Sequence, residues 1–302
     1  MSDMAFGPSG IMDEQIFGLP VDRKILFSNH KNVYKKRVEK RQRKLIIKLP
    51  FLKPFLKQGE QILQVTTGYS PLTSIAQYAT GFVFVYLKRS LFVFTNLRIL
   101  HIPTTPAYQY KGSIAQIAYA GCQSLALKGG TLVVEYGKFG QVETFKGIPV
   151  AERKKIRTLL SKIHLSGTKS DVAARTHLCP HCAHRLTTGK FVCRNCQLKF
   201  KSKLAARIIS IIFPGGGYFY TRHYLLGFLN AILELFFIFY FVYIAYLLNR
   251  ALNGTRESIV YMVLLGVIFL IIKIISIVHS NHFIDEFIPR DKRLKPAASR
   301  NK

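Results

Sequence analysis

The sequence predicts a multidomain membrane protein. A small β-barrel with a C-terminal helix comes first, then a pair of metal-holding cysteine knuckles, then an α-helical transmembrane hairpin. Three observations carry this. Short β-rich runs fill residues 59–165. Four of the five cysteines fall in two Cys-x-x-Cys pairs. Two long apolar stretches near the C-terminus hold one charge each. The composition agrees, with 49% hydrophobic residues beside a net charge of +29 over 302 residues. A membrane protein with basic flanks needs both, because apolar spans and Lys/Arg anchors occupy different regions. A nucleic-acid binder also needs positive charge, so charge alone does not decide.

The N-terminal MSDMAFGPSGIMDEQIFG has no positive start followed by an apolar run, so no cleaved signal peptide is expected. Residues 1–57 read as a basic N-terminal arm. Between 31 and 57 there are eleven Lys/Arg and one acid, Glu39. The segment KNVYKKRVEKRQRKLIIKLP predicts a helix to about Ile47, broken by Pro50 and Pro54. It reads either as a polybasic patch on anionic headgroups or as a solvated charged helix.

Residues 58–165 read as one β domain. The runs QILQVTT, GFVFVYL, LFVFTNLRILHI and LVVEYG are separated by turn material. After Pro149, Ile156, Leu159, Leu160 and Ile163 recur at helical spacing and predict a closing helix. The order GEQIL, LFVFTNLRILHI, GGTLVVEYGKFGQVETFKGI and then a helix resembles the pleckstrin-homology-like fold. It is most similar to the GRAM and bacterial PH-type branch, where a strand ending in Thr-Asn-x-Arg is common. The resemblance implies binding of a lipid headgroup or a partner peptide. The family's phosphoinositide binders use basic residues in the loop after the first strand. Here that loop, GYSPLTSIAQYATG, has no charge, which argues against an inositol phosphate.

Residues 166–176 are small and polar and read as a linker. Residues 177–201 hold Cys179, Cys182, Cys193 and Cys196, with ten residues between the pairs. Each Cys-x-x-Cys turn points two sulfurs to one side, and two turns joined by a short hairpin complete a tetrahedron. Four thiolates with no open position describe a structural Zn²⁺ site rather than a catalytic one. A redox Cys-x-x-Cys reading is weaker because two pairs stand at this spacing. The segment resembles zinc ribbons, although Ala183 and Gln197 replace the glycine that often follows a knuckle. With four cysteines present, His177, His181 and His184 are expected at the surface. Cys122 stands alone, and thiolates held in this way suit a reducing compartment.

Residues 225–278 read as a two-helix hairpin with spans 225–248 and 258–278. At ~1.5 Å per residue each matches or exceeds the ~30 Å of bilayer hydrocarbon. Basic residues cluster before the first span and after the second, in the tail 279–302, and only Arg250 and Arg256 lie between. Both termini are therefore expected on the cytosolic side of the cell membrane. Lys199, Lys201, Lys203 and Arg207 are expected to rest on anionic headgroups.

Residues 204–224 contain too short an apolar run to span, stopped by Pro214 and three glycines. They read as an interfacial or re-entrant segment. Pro214-Gly-Gly-Gly217-Tyr-Phe-Tyr220, with Gly227 in the next helix, resembles the TM2-type membrane domain. That family implies architecture rather than activity. Glu234 and Lys273 lie inside the spans. Helical rise puts them ~13 Å and ~8 Å from the inner face, and their side chains lean toward each other, so an ion pair is expected.

These features point to a non-enzymatic membrane-anchored adaptor whose partners are anionic lipids and an unidentified protein. The alternative is a membrane-tethered nucleic-acid binder using the knuckles and the basic arm. A third reading is a transporter subunit, which would need a homo-oligomer to form a pore. The sequence shows no Ser-His-Asp set, phosphate-cradling glycine loop or open metal site.

Overall fold

The computed structural model describes residues 15–71, 88–137, 140–163, 165, 174–250 and 256–290, with no side-chain detail at 248–258. The chain divides into two compact units.

The first unit is built on two antiparallel meanders. One runs through β3 (Ile62–Tyr69), β4 (Arg89–Thr95), β5 (Arg98–Pro103) and β6 (Ile114–Ala118). The other runs through β7 (Cys122–Lys128), β8 (Thr131–Tyr136) and β9 (Val142–Phe145). Pairings such as Phe92 with His101 and Leu132 with Phe145 set the register. In β8, Leu132, Val134 and Tyr136 are buried while the residues between them are less so, the period-two pattern of a strand with one core face. A helix, Val150–Ser161, follows Pro149 and delivers Ile156, Leu159 and Leu160 into the core. There they meet Phe92, Phe94, Ile117, Leu132 and Phe145 from both sheets. The expected strands within the described residues and the closing helix are found, but the sheets are separate and no barrel closure is found among the described residues. The expected strand GFVFVYL lies outside the described residues, as does most of the loop before it.

The stretch read as a basic arm is, from residue 15 onward, built into this unit. A short hairpin, β1 (Gln15–Ile16) and β2 (Leu19–Pro20), leads to α1 (Arg23–Leu26) and α2 (Lys36–Ile46). Leu45 and Ile46 of α2, and Leu49, Leu52 and Phe55 beyond it, are buried. The Gln42 side chain accepts from the Val65 N–H and donates to the Val65 carbonyl, both at 2.9 Å. It thereby satisfies the backbone of β3 where a neighbouring strand would. The charged face of α2, including Lys36, Arg37, Lys40 and Lys44, is exposed.

Among the described residues, the second unit holds the cysteine knuckles and four helices. After α1, α2 and the closing helix, now α3, these are α4 (Lys203–Ile212), α5 (Gly216–Tyr220), α6 (Tyr224–Arg250) and α7 (Arg256–Ile284). Ser202 caps α4 by accepting from the Ala205 N–H at 3.3 Å. α6 and α7 are long and apolar enough to cross a membrane. Their large side chains point outward, with Phe228, Phe236, Phe239, Tyr261 and Leu270 exposed. They run antiparallel, since the start of α6 meets the end of α7, where His223 stacks on Phe283 at 3.7 Å.

Pro214 and the glycines turn the chain between α4 and α5. At Gly215 φ is +67°, and a Cβ there would lie 2.2 Å from the Gly227 carbonyl oxygen. A Cβ at Gly217 would strike the hydroxyls of Ser210 and Ser280. The glycines are therefore required by close approach of α4, α6 and α7. α4 begins with Lys203 paired to Asp285 at 2.7 Å, and its Ser210 lies against Ser280. After the turn, Tyr218 reaches His279, its hydroxyl 2.8 Å from Nδ1. The segment thus runs back along α7 and returns.

Candidate functional site

The knuckles repeat one geometry twice. Cys179 N–H donates to the His184 carbonyl at 2.8 Å, and Cys193 N–H to the Leu198 carbonyl at 2.9 Å. Ala183 N–H donates to the Cys179 carbonyl at 2.9 Å, and Gln197 N–H to the Cys193 carbonyl at 3.0 Å. Leu178 bridges Arg185 as Val192 bridges Lys199. Both Ala183 and Gln197 adopt φ of 57°, the left-handed conformation that glycine takes without strain. These are the two positions where the sequence departs from the ribbon pattern, and the backbone keeps the conformation at a cost of roughly 1 kcal/mol each.

The four sulfurs all lie within 4.8 Å of one another. Cys179 Sγ is 3.5 Å from Cys196 Sγ, and Cys182 Sγ is 3.6 Å from Cys193 Sγ. A tetrahedron of sulfurs at ~2.3 Å from a metal has edges of roughly 3.8 Å. The cluster therefore fits a metal ion, and none of the four forms a disulfide. Burial pushes the Cys179 thiol up, opposed by the backbone N–H groups of Cys182 and His181. Among the described residues the three nearby histidines do not join the cluster. His184 is exposed, but His177 is buried, with its ring 4.9 Å from Phe287. The expectation of a surface histidine fails at His177 because residues after α7 close over it.

The second constellation is a buried ion pair. Lys273 Nζ lies 2.7 Å from Glu234 Oε2, with Glu234 fully buried. Asn230 donates to Glu234 Oε1 at 2.6 Å, and the Gly215 N–H to Oε2 at 3.3 Å. Lys273 also donates to the Ser210 carbonyl at 2.8 Å. The acid and the base thus tie both long helices to the break between α4 and α5. With these partners the pair links the two long helices to the chain break between α4 and α5.

The residues expected at headgroups divide. Lys199 and Arg207 are exposed. Lys201 is buried and bonded to the Tyr220 carbonyl, its ammonium 4.8 Å from the Tyr220 ring centroid. Lys203 is committed to Asp285. Alternation along an irregular segment turns Lys201 inward, which charge counting does not reveal.

The first unit also holds buried polar networks that charge and spacing in the sequence do not announce. In one, Arg98 and Glu60 form an ion pair at 2.8 Å. Arg98 also reaches the Phe55 carbonyl and Gln116, and Thr95 donates to Glu60 at 2.8 Å. The Thr-Asn-x-Arg and Gly-Glu signals of the sequence are absorbed by this pair and by the turn that Thr95 and Asn96 brace. In the other, His101 Nε2 lies 2.9 Å from Ser70 Oγ and 3.1 Å from Ser90 Oγ. Arg175 Nη1 is 3.1 Å from His101 Nδ1. Arginine only donates, so Nδ1 accepts and Nε2 carries the hydrogen. In that tautomer the imidazole donates toward the serine hydroxyls.

No family model matches the chain, and no curated protein matches it.

Proposed function

We propose that the protein is a non-enzymatic membrane-anchored adaptor. α6 and α7 form a hairpin in the bilayer, with both chain ends cytosolic. The α4–α5 turn dips into the inner leaflet. The first unit, with its two meanders and closing helix, acts as a PH-like module that docks anionic headgroups or a partner protein. The four cysteines hold a structural Zn²⁺, which would supply folding free energy to a segment with little apolar core.

The observation that carries this reading is the outward-facing apolar surface of two antiparallel helices long enough to span. Contiguous apolar surface of that extent is unfavourable in water and natural in lipid. The exposed cationic face of α2 adds support for a headgroup surface, each basic residue near an anionic membrane contributing about 1 kcal/mol. The same face favours the second reading, nucleic acid.

Flotation of a fragment spanning 1–176 separates the two. Binding to vesicles containing phosphatidylserine, absent with phosphatidylcholine alone, is expected. Changing Lys36, Arg37, Lys40 and Lys44 to Gln should weaken it on the order of a thousandfold. Salt-sensitive RNA binding without vesicle binding would replace the adaptor with the nucleic-acid reading. Labelling of the knuckle thiols by impermeant reagent applied outside intact cells would overturn the orientation.

A further inference from the structure

The cysteine knuckles do not complete their own core. Phe287, from the chain beyond α7, is buried in one cluster with Cys179, Cys193, Leu186 and Phe200. Its ring centroid lies 5.5 Å from Phe200, edge-on, 6.3 Å from Phe191 and 4.9 Å from His177. The backbone follows. Phe200 bridges Pro289, Lys201 N–H donates to the Ile288 carbonyl, and Arg290 N–H donates to the Lys199 carbonyl, both at 3.0 Å. Since Val192 bridges Lys199 on the other side, residues 288–290 run beside the second knuckle as a third bridged segment.

The conformation of Phe287 is informative. Glu286 and Phe287 close the end of α7 with bonds to the Phe283 and Ile284 carbonyls. At Phe287 φ is 54°, where a helix end ordinarily has glycine. A bulky side chain in that region carries backbone strain that its surroundings must offset. Here the offset is the ring's seat behind two metal-ligating cysteines.

We infer that the four-cysteine metal centre and the end of the second long helix fold as one unit, with Phe287 a positioning residue for the metal cage. This rests on the reading of the cluster as a metal site. A metal that draws the four sulfurs together stabilises the apolar seat behind Cys179 and Cys193, and so holds residues 286–290. By linkage the docked ring holds the cage to the same degree. Loss of the metal frees the segment after α7, so the metal state is transmitted to the helix end.

The test uses the full chain in detergent, loaded with Zn²⁺ and challenged with a chromophoric chelator. Phe287→Ala should release metal roughly 10- to 100-fold faster than wild type. Phe287→Gly, which removes the backbone strain as well as the ring, should also release faster. Wild-type release by the Gly variant would show that the ring holds nothing. Tryptic cleavage at Arg290 in the unaltered protein is the second readout, and it should accelerate once the metal is stripped. Release from Phe287→Ala at the wild-type rate, or cleavage indifferent to the metal, overturns the coupling while leaving the metal site standing. A wild-type chain that retains no metal overturns both.

Discussion

Each unit of this protein contains a glutamate buried against a base, Glu60 with Arg98 and Glu234 with Lys273, and these two pairs are built differently. Glu60 and Arg98 sit in the first unit within a closed set of donors and acceptors from Phe55, Thr95 and Gln116. Glu234 and Lys273 sit between helices whose outer faces are apolar, and their further partners come from a broken helix and from Asn230. The first pair organises a turn between two strands. The second fastens three chain segments, the two long helices and the break between α4 and α5. A buried pair is poor evidence of net stability, but each is costly to halve, because the remaining charge has lost its partner. What differs is the escape route. Arg98 keeps 5% side-chain exposure, whereas Lys273 keeps 14% beside Phe269.

The largest effect is therefore expected at the enclosed pair. Arg98→Ala in the 1–176 fragment should cost about 3–5 kcal/mol in chemical denaturation. A loss below about 1 kcal/mol would mean that the two pairs do not differ as described. Next comes the helical pair. Glu234→Gln and Lys273→Met should each lower the unfolding free energy of the full chain in detergent by roughly 2–3 kcal/mol. The double variant should lose far less than the sum. Simple additivity would show that the two side chains act separately. Gly215→Ala tests the fastener from the backbone side. Its methyl must displace the Gly227 carbonyl, at a cost of roughly 1–3 kcal/mol.

Smaller effects sharpen the contrast. Ala183→Gly and Gln197→Gly should each gain about 0.5–1 kcal/mol and slow metal release, because glycine takes the left-handed turn without strain. Unchanged release would place the strain elsewhere. Lys155 supplies a buried base outside the two pairs for comparison. Burial lowers its pKa to about 8, partly offset by Glu152, while its ammonium donates to the Leu26 carbonyl at 2.8 Å. The unfolded chain, with the ordinary value of 10.5, binds the proton between these limits and the folded chain does not. Its contribution to stability should therefore rise as pH goes from about 8 toward 10.5. Lys155→Met should flatten that slope in the fragment, and an unchanged slope would assign it to another group.

Much of the molecule is legible residue by residue. Two Cys-x-x-Cys pairs ten residues apart bring four sulfurs together, because the turn geometry is local. Glu234 and Lys273 meet where helical rise places them, because an α-helix is a ruler. The strands β3, β4, β5 and β8 and the closing helix lie where period and punctuation put them. By contrast β6 and β9 are short, and β7 and β9 carry polar residues on their less buried faces, so their signal is weak. The inward turn of Lys201 escapes notice because charge has no direction in a sequence.

Local pattern settled the element types, the sulfur cage and the ion pair between the long helices, since each depends on spacing within one regular turn or helix. Three-dimensional packing alone decided that Gln42 would cap a strand edge, that Glu60 would answer Arg98, and that Phe287 would close the cage over a hundred residues after Cys179. Those contacts join segments far apart in the chain. No periodicity connects such segments, and only the burial of apolar surface with every polar group satisfied selects which of them meet.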